Sequence, residues 1–216
     1  MNEIKIAPSI LSADFARMGK AVSVLADWGA DWVHCDVMDG IFVPNLTFGM
    51  PMIQAIRPYT TLPLDVHLMI VEPERYIERF LQAGADIVTF HPEVSKDVFG
   101  AIRAVHARGK RVGLVLNPDI EPESIEPYLD EIDLVMLMGV YPGFGGQKFI
   151  ASVLDKMPRL LRMIGARDIE IELDGGVTAD NLAAIAASGV GNPVPGSSEF
   201  GASHPAAAIE TLKSLR

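Results

Sequence analysis

Short apolar runs alternate along this chain with segments whose apolar residues recur at helical spacing. The runs are Ile4–Pro8, Trp32–Val37, Leu64–Met69, Ile87–Phe90, Val112–Leu116, Leu134–Met138 and Ile169–Leu173. They are too short for helices and nearly continuous in apolar character, as expected of strands buried on both faces. Between them, Phe15–Leu25, Pro73–Ala83, Lys96–Ala107 and Val153–Ile164 carry a single apolar stripe and predict helices. Asp14, Asp97 and Asp180 stand where helix caps or first-turn acids belong.

Strand and helix recur roughly every 27 residues, which implies right-handed βα units and a parallel sheet. Seven such units and a weaker eighth near Gly189–Ser197 predict a closed (β/α)8 TIM barrel, residues 1–216 forming a single domain. A doubly wound open sheet is the competing arrangement. The phrases Asp27-Trp-Gly29-Ala-Asp31 and Gln82-Ala-Gly84-Ala-Asp86 repeat, each with a glycine suited to closing a helix before a strand. They mark equivalent joints, so the ends of the strands that follow lie on the opposite rim, where barrels of this kind carry their chemistry.

The totals narrow the class without choosing a function. A formal charge of −10 argues against nucleic acid, which demands a basic footprint. No stretch is long and apolar enough to span a bilayer, and the start lacks the pattern of a signal peptide. One cysteine excludes an internal disulfide, so the cytoplasm is the expected compartment.

Candidate chemistry gathers at three predicted strand ends: Trp32-Val-His34-Cys-Asp36-Val-Met38, Leu64-Asp-Val-His67-Leu-Met69 and Ile169-Glu-Ile-Glu-Leu-Asp174. Side chains two apart on a strand share a face. His34, Asp36 and Met38 therefore point one way and Cys35 the other, toward packing. Any one of these histidines alone reads as a hydrogen-bonded core residue. Together His34, Asp36, His67 and Asp174 suit one divalent ion, Zn2+, Fe2+, Mn2+ or Co2+. Two carboxylates across that ion could move a proton between two faces of a substrate.

Glycine pairs follow the last units. Gly143, Gly145 and Gly146 lie in Tyr141-Pro-Gly-Phe-Gly-Gly-Gln147, Gly175 and Gly176 follow Asp174, and Gly196 and Ser197 close the eighth unit. One such pair is usually a turn, but three successive loops whose amides can approach an anion suggest a phosphate site. Met38, Met69 and Met138 fall at inward strand ends, either as core filler or as a polarizable wall beside a planar intermediate. Ser9 could donate a hydrogen bond to a substrate oxygen. No lysine stands at a strand end for Schiff-base chemistry, and no nucleophile is paired with a base.

The phrases Ala7-Pro-Ser-Ile-Leu-Ser-Ala-Asp14, His34-Cys-Asp-Val-Met-Asp-Gly-Ile-Phe-Val-Pro-Asn45, Asp65-Val-His-Leu-Met69, Pro142-Gly-Phe-Gly-Gly-Gln147 and Asp174-Gly-Gly-Val177 occur in order. In them the chain resembles the ribulose-phosphate 3-epimerase family nearly end to end. The resemblance implies a metal-dependent epimerase interconverting D-ribulose 5-phosphate and D-xylulose 5-phosphate. His34, Asp36, His67 and Asp174 would be its ligands, Asp36 and Asp174 its acid–base pair. The metal would bind the C2 and C3 oxygens and stabilise a 2,3-enediolate. Ser9, His67, the three methionines and the glycine loops would contact substrate, and a homo-oligomer, dimer or hexamer, is implied.

Three positions depart from that pattern: Gly139 stands where serine or threonine is usual, Tyr141 where a small polar or acidic residue is usual. Gly191-Asn-Pro-Val-Pro-Gly-Ser-Ser-Glu199 replaces an apolar strand, and Pro193 and Pro195 each remove a ladder donor. A short or irregular eighth strand is expected. Tyr141 and this unit leave open a hexulose 6-phosphate such as allulose 6-phosphate as substrate. A barrel that binds a sugar phosphate without turnover is the non-enzymatic alternative.

Overall fold

A computed structural model describes residues 4–196, 200–202 and 204–214. Seven strands, β1 (Val33–Met38), β2 (Leu64–Met69), β3 (Ile87–Phe90), β4 (Arg111–Leu116), β5 (Leu134–Met138), β6 (Glu170–Asp174) and β7 (Asn192–Val194), pair in parallel in sequence order. The fold is a TIM barrel, and the way it closes follows from where the prolines fall.

The segment predicted as a strand at Ile4–Pro8 is not a regular strand, yet it fills the eighth place. Lys5, Ala7 and Ser9 donate backbone N–H bonds to Gly191, Pro193 and Pro195 (2.9, 3.3 and 2.8 Å). On its other side Ile6 and Pro8 accept from Trp32 and His34 (3.3 and 3.1 Å), and Ser9 bridges to His34. In a parallel ladder the complementary donors would be residues 193, 195 and 8, which are all proline. Three rungs at the seam are therefore absent beside the five that form, and β7 is three residues long.

Around the sheet lie α1 (Met18–Ser23), α2 (Met50–Ile56), α3 (Ile77–Ala83), α4 (Val98–His106), α5 (Met157–Ile164), α6 (Ala179–Ala187) and α7 (Pro205–Ser214). Four of them lie within the predicted helices, often preceded by a 3-10 turn such as Phe15–Arg17 or Ala151–Lys156. The apolar spacing did not single out α2, α6 and α7. Between β4 and β5 a 3-10 segment, Pro122–Tyr128, stands where a helix would, because Pro127 inside it cannot donate the i to i−4 bond. Asp97 caps α4 and Asp14 caps the turn before α1. At α6, Thr178 with Asn181 forms the capping box and Asp180 is a first-turn acid.

The pleat divides the buried residues into two layers. Cys35, Val66, Val88 and Leu114 face the helices in the large outer core, whereas Ala7, Ile87, Val115, Met136 and Met138 pack inside the barrel. At the N-terminal end of the strands, Glu170 closes the barrel, accepting from Lys5, Arg111 and Asn192 (2.7, 3.0 and 2.6 Å). Both cations also lie over the Trp32 ring. The opposite end stays open, and it carries the site.

Candidate metal centre and active site

Parity and register bring the predicted quartet together. His34 and Asp36 share the inward face of β1, and the Cα partner of Asp36 on β2 is His67. Asp174 ends β6, paired with Met138 on β5 and Val194 on β7. His34 Nε2 lies 3.3 Å from Asp36 Oδ1 and 3.9 Å from Asp174 Oδ2. His67 Nδ1 lies 3.3 and 3.7 Å from the same two oxygens. One ligand atom from each residue lies within 4.8 Å of every other. Neither His34 Nε2 nor His67 Nδ1 has a hydrogen-bond partner among the described residues. Buried ring nitrogens converging with two carboxylates on one point, without partners of their own, suit a divalent cation.

The cluster's charges follow from burial and contact. Burial alone would lower the pKa of both imidazoles. The carboxylates of Asp36 and Asp65 nonetheless hold His34 well above its usual range, and those of Asp174 and Asp36 raise His67. Burial likewise opposes ionisation of Asp36, yet the two histidines hold its carboxyl far below the usual carboxylate range. Cation uptake therefore competes with protons for these nitrogens. Cys35 faces the outer core, and burial pushes its thiol far up, so it takes no part.

The surroundings add groups that motif reading left unassigned. His34 Nδ1 is 2.5 Å from Asp65 Oδ2, which leaves Nε2 as the atom aimed at the site. His67 Nε2 is 3.0 Å from Nε2 of His91, the residue after β3. His91 continues the inward parity of Ile87 and Thr89, and that parity is the signal that could have found it. Burial lowers its pKa to about 4, so it is neutral near pH 7.

Glu172 is wholly buried behind Asp65, and burial followed by Asp65's charge raises its pKa well above the carboxylate range. An unfolded glutamate loses its proton near pH ~4.3, whereas here it is kept to higher pH. Between those limits the folded chain binds more protons, so this group's contribution makes stability fall as pH rises. Glu172→Gln, which mimics the protonated acid, is expected to remove that slope. The metal-free variant should melt a few degrees above the parent at pH 8 and level with it near pH 4; equal shifts at both pH values would refute the assignment.

The open rim above the quartet encloses a cavity of about 190 Å³. Asp36 and Asp174 reach its floor, and Met38, Met69 and Met138 form part of its wall. His34 and His67 lie beneath, wholly buried. His67 is not among the residues that line the cavity. Ser9 lines the cavity, but its hydroxyl donates to Asp36 Oδ2, so it orients that carboxylate. Asn45 Nδ2 donates to the Gly143 carbonyl (2.9 Å), tying the loop after β1 to the glycine-rich loop.

Gly143, Gly145, Gly146, Gly175, Gly176 and Gly196 all line this cavity, beside Thr178 at the start of α6. Ser197 lies outside the described residues. At Gly176, φ is +70° and a Cβ would fall 2.8 Å from the Phe149 nitrogen, so only glycine lets these loops pack. Gly139 has a similar cause: a Cβ there would sit 2.3 Å from the Gly175 carbonyl oxygen. Tyr141 lies apart from these glycines. Its side chain is 52% exposed and does not line the cavity; the loop uses its carbonyl, which accepts from Gln147.

Comparison with known proteins adds an independent line. Residues 5–200 match the model of the ribulose-phosphate 3 epimerase family. The ribulose-phosphate 3-epimerase of Bacillus subtilis (strain 168) is 47% identical over 213 residues, 97% of this chain and 98% of that protein. The chloroplastic ribulose-5-phosphate-3-epimerase of Arabidopsis thaliana is 45% identical over 219 residues, 100% of this chain and 78% of its own. In fold the chain resembles KGPDC from Streptococcus mutans, with TM-score 0.75 at 14% identity over 99% of this chain and 97% of that one. It also resembles 3-hexulose-6-phosphate synthase from Salmonella typhimurium, with TM-score 0.74 at 18% identity over 98% of both chains.

Proposed function

Because this chain belongs to the ribulose-phosphate 3-epimerase family and is an isomerase of the epimerase class, we propose that it interconverts D-ribulose 5-phosphate and D-xylulose 5-phosphate. The observation that carries this reading is the pair Asp36 and Asp174. They are the two carboxylates of the quartet, on strands far apart in sequence, and both reach the cavity floor.

Epimerising C3 of a 2-ketose requires breaking its C–H bond and returning a proton to the opposite face. One aspartate takes the C3 proton as general base, and the electron pair left behind spreads onto the C2 carbonyl as an enediolate. The other aspartate, protonated, delivers its proton to the far face. Running the reaction in reverse exchanges their roles. His34 through Nε2, His67 through Nδ1, Asp36 and Asp174 would hold a divalent ion, Zn2+, Fe2+, Mn2+ or Co2+. When bound, that ion supplies Lewis-acid stabilisation of the negative charge developing on the substrate oxygens. Ser9 orients Asp36. The methionines exclude water beside the planar intermediate, and the amides of the glycine loops and the start of α6 bind the phosphate.

The test is solvent deuterium uptake at C3 of ribulose 5-phosphate, measured beside the rate on allulose 6-phosphate. Uptake is expected, with kcat/KM favouring the pentulose by about 10-fold or more, the discrimination one extra carbon can provide. No uptake would leave a sugar-phosphate binder, and a faster hexulose would reverse the substrate assignment. Tyr141, one of the two features that left the hexulose open, is exposed and is not among the residues that line the cavity.

A further inference from the structure

His91 is outside the ligand set but in contact with it. Its ring is wholly buried, 3.0 Å from His67 through Nε2 of each, and the two rings stack at 28°. Phe42 covers it from the side, with centroids 4.7 Å apart, so its orientation is set by packing. Two imidazole nitrogens at hydrogen-bond distance require one donor and one acceptor. The polarity of that bond decides which nitrogen of His67 carries a lone pair.

His67 Nδ1 is the atom turned toward Asp36 and Asp174. A neutral imidazole offers a lone pair there only if its proton is on Nε2. His67 Nε2–H then donates, His91 Nε2 accepts, and the proton of His91 belongs on Nδ1. Facing that nitrogen, at 3.5 Å, is Glu93 Oε1, itself held by Asn117 Nδ2 at 2.7 Å. The reverse polarity would aim the His91 Nδ1 lone pair at that carboxylate and the His67 Nδ1 proton at the cation site. Both ends of the chain of contacts thus favour one direction. His34 differs in that Asp65 touches its far nitrogen directly.

We propose that His91 is a positioning residue which, backed by Glu93, holds His67 as the tautomer protonated on Nε2 and so presents Nδ1 to the divalent cation. The inference rests on the metal reading above and concerns affinity before any turnover. Orienting partners of metal-bound histidines typically contribute 10- to 100-fold in affinity.

The experiment measures Mn2+ and Zn2+ dissociation constants of the full chain by competition with a chromophoric chelator. His91→Leu, which fills the space but cannot accept, is expected to weaken binding about 10- to 100-fold. His91→Gln, whose amide oxygen can take the place of Nε2 as acceptor, should stay within a few-fold of the parent. Glu93→Gln should fall between them. A packing role predicts the opposite order, with leucine harmless and glutamine disruptive, and that order overturns the proposal. Parent-like affinity in His91→Leu overturns it too. If His91→Leu does not fold, unchanged affinity in Glu93→Gln overturns it and a several-fold loss supports it. A parent chain that takes up neither cation removes the metal reading and this inference together, whereas a binding parent with unaffected variants removes the inference alone.

Discussion

Asp36→Asn and Asp174→Asn are each expected to reduce epimerase turnover by at least about 10²–10⁴-fold, the usual contribution of a positioned acid or base, while the fold survives. An asparagine amide neither takes nor delivers a proton at neutral pH. At position 36 the structural losses are partly offset. The amide oxygen still accepts from Ser9, and removing the carboxylate charge lets the buried histidines His34 and His67 give up protons that Asp36 helps to hold. A stability loss of about 1–3 kcal/mol is expected. The check pairs a coupled assay in both directions with a thermal melt of the purified variants. Full activity in either variant would end the two-aspartate mechanism. The same melt guards against mistaking an unfolded variant for a catalytically dead one.

Stripping divalent cations with a chelator should have an effect of comparable size on rate, and a second effect on stability. Four ligand atoms within 4.8 Å of one another include two carboxylates, which raise the pKa of both histidines. Turnover should fall to background and return on adding Mn2+, Zn2+, Co2+ or Fe2+ anaerobically. At a cation concentration about 100 times its dissociation constant, linkage stabilises the folded chain by about 2.7 kcal/mol. For a domain of this size that corresponds to roughly 5–10 °C in Tm. A chelated protein that turns over at the full rate would show that the quartet does its work with protons alone.

Most of the strand pattern was legible because its causes are local. Period-two alternation placed Asp36 with His34 and set Cys35 against the helices, and the structure has them there. The prolines at 193 and 195 announced a short final strand for the same reason, since each removes a donor wherever the chain goes. The reach of Tyr141 was not legible. Its direction depends on how the loop folds through Gln147 onto the Tyr141 and Phe144 carbonyls. His91, Asp65 and Glu172 were visible as residues but carried no role, because what each does is decided by partners 24 to 138 positions away.

The same division runs through the quartet of His34, Asp36, His67 and Asp174. Residue type and pleat alone determined that two histidines and two aspartates face inward at strand ends, because side-chain parity along a strand needs no knowledge of its neighbours. Only the tertiary structure decided that His34 turns Nε2 and His67 turns Nδ1 toward the two carboxylates, that the histidines lie under the cavity while the aspartates reach its floor, and that Ser9 donates to Asp36. Those choices depend on which hydrogen-bond partner occupies the other side of each ring or hydroxyl. Barrel closure supplies those partners from strands far apart in sequence.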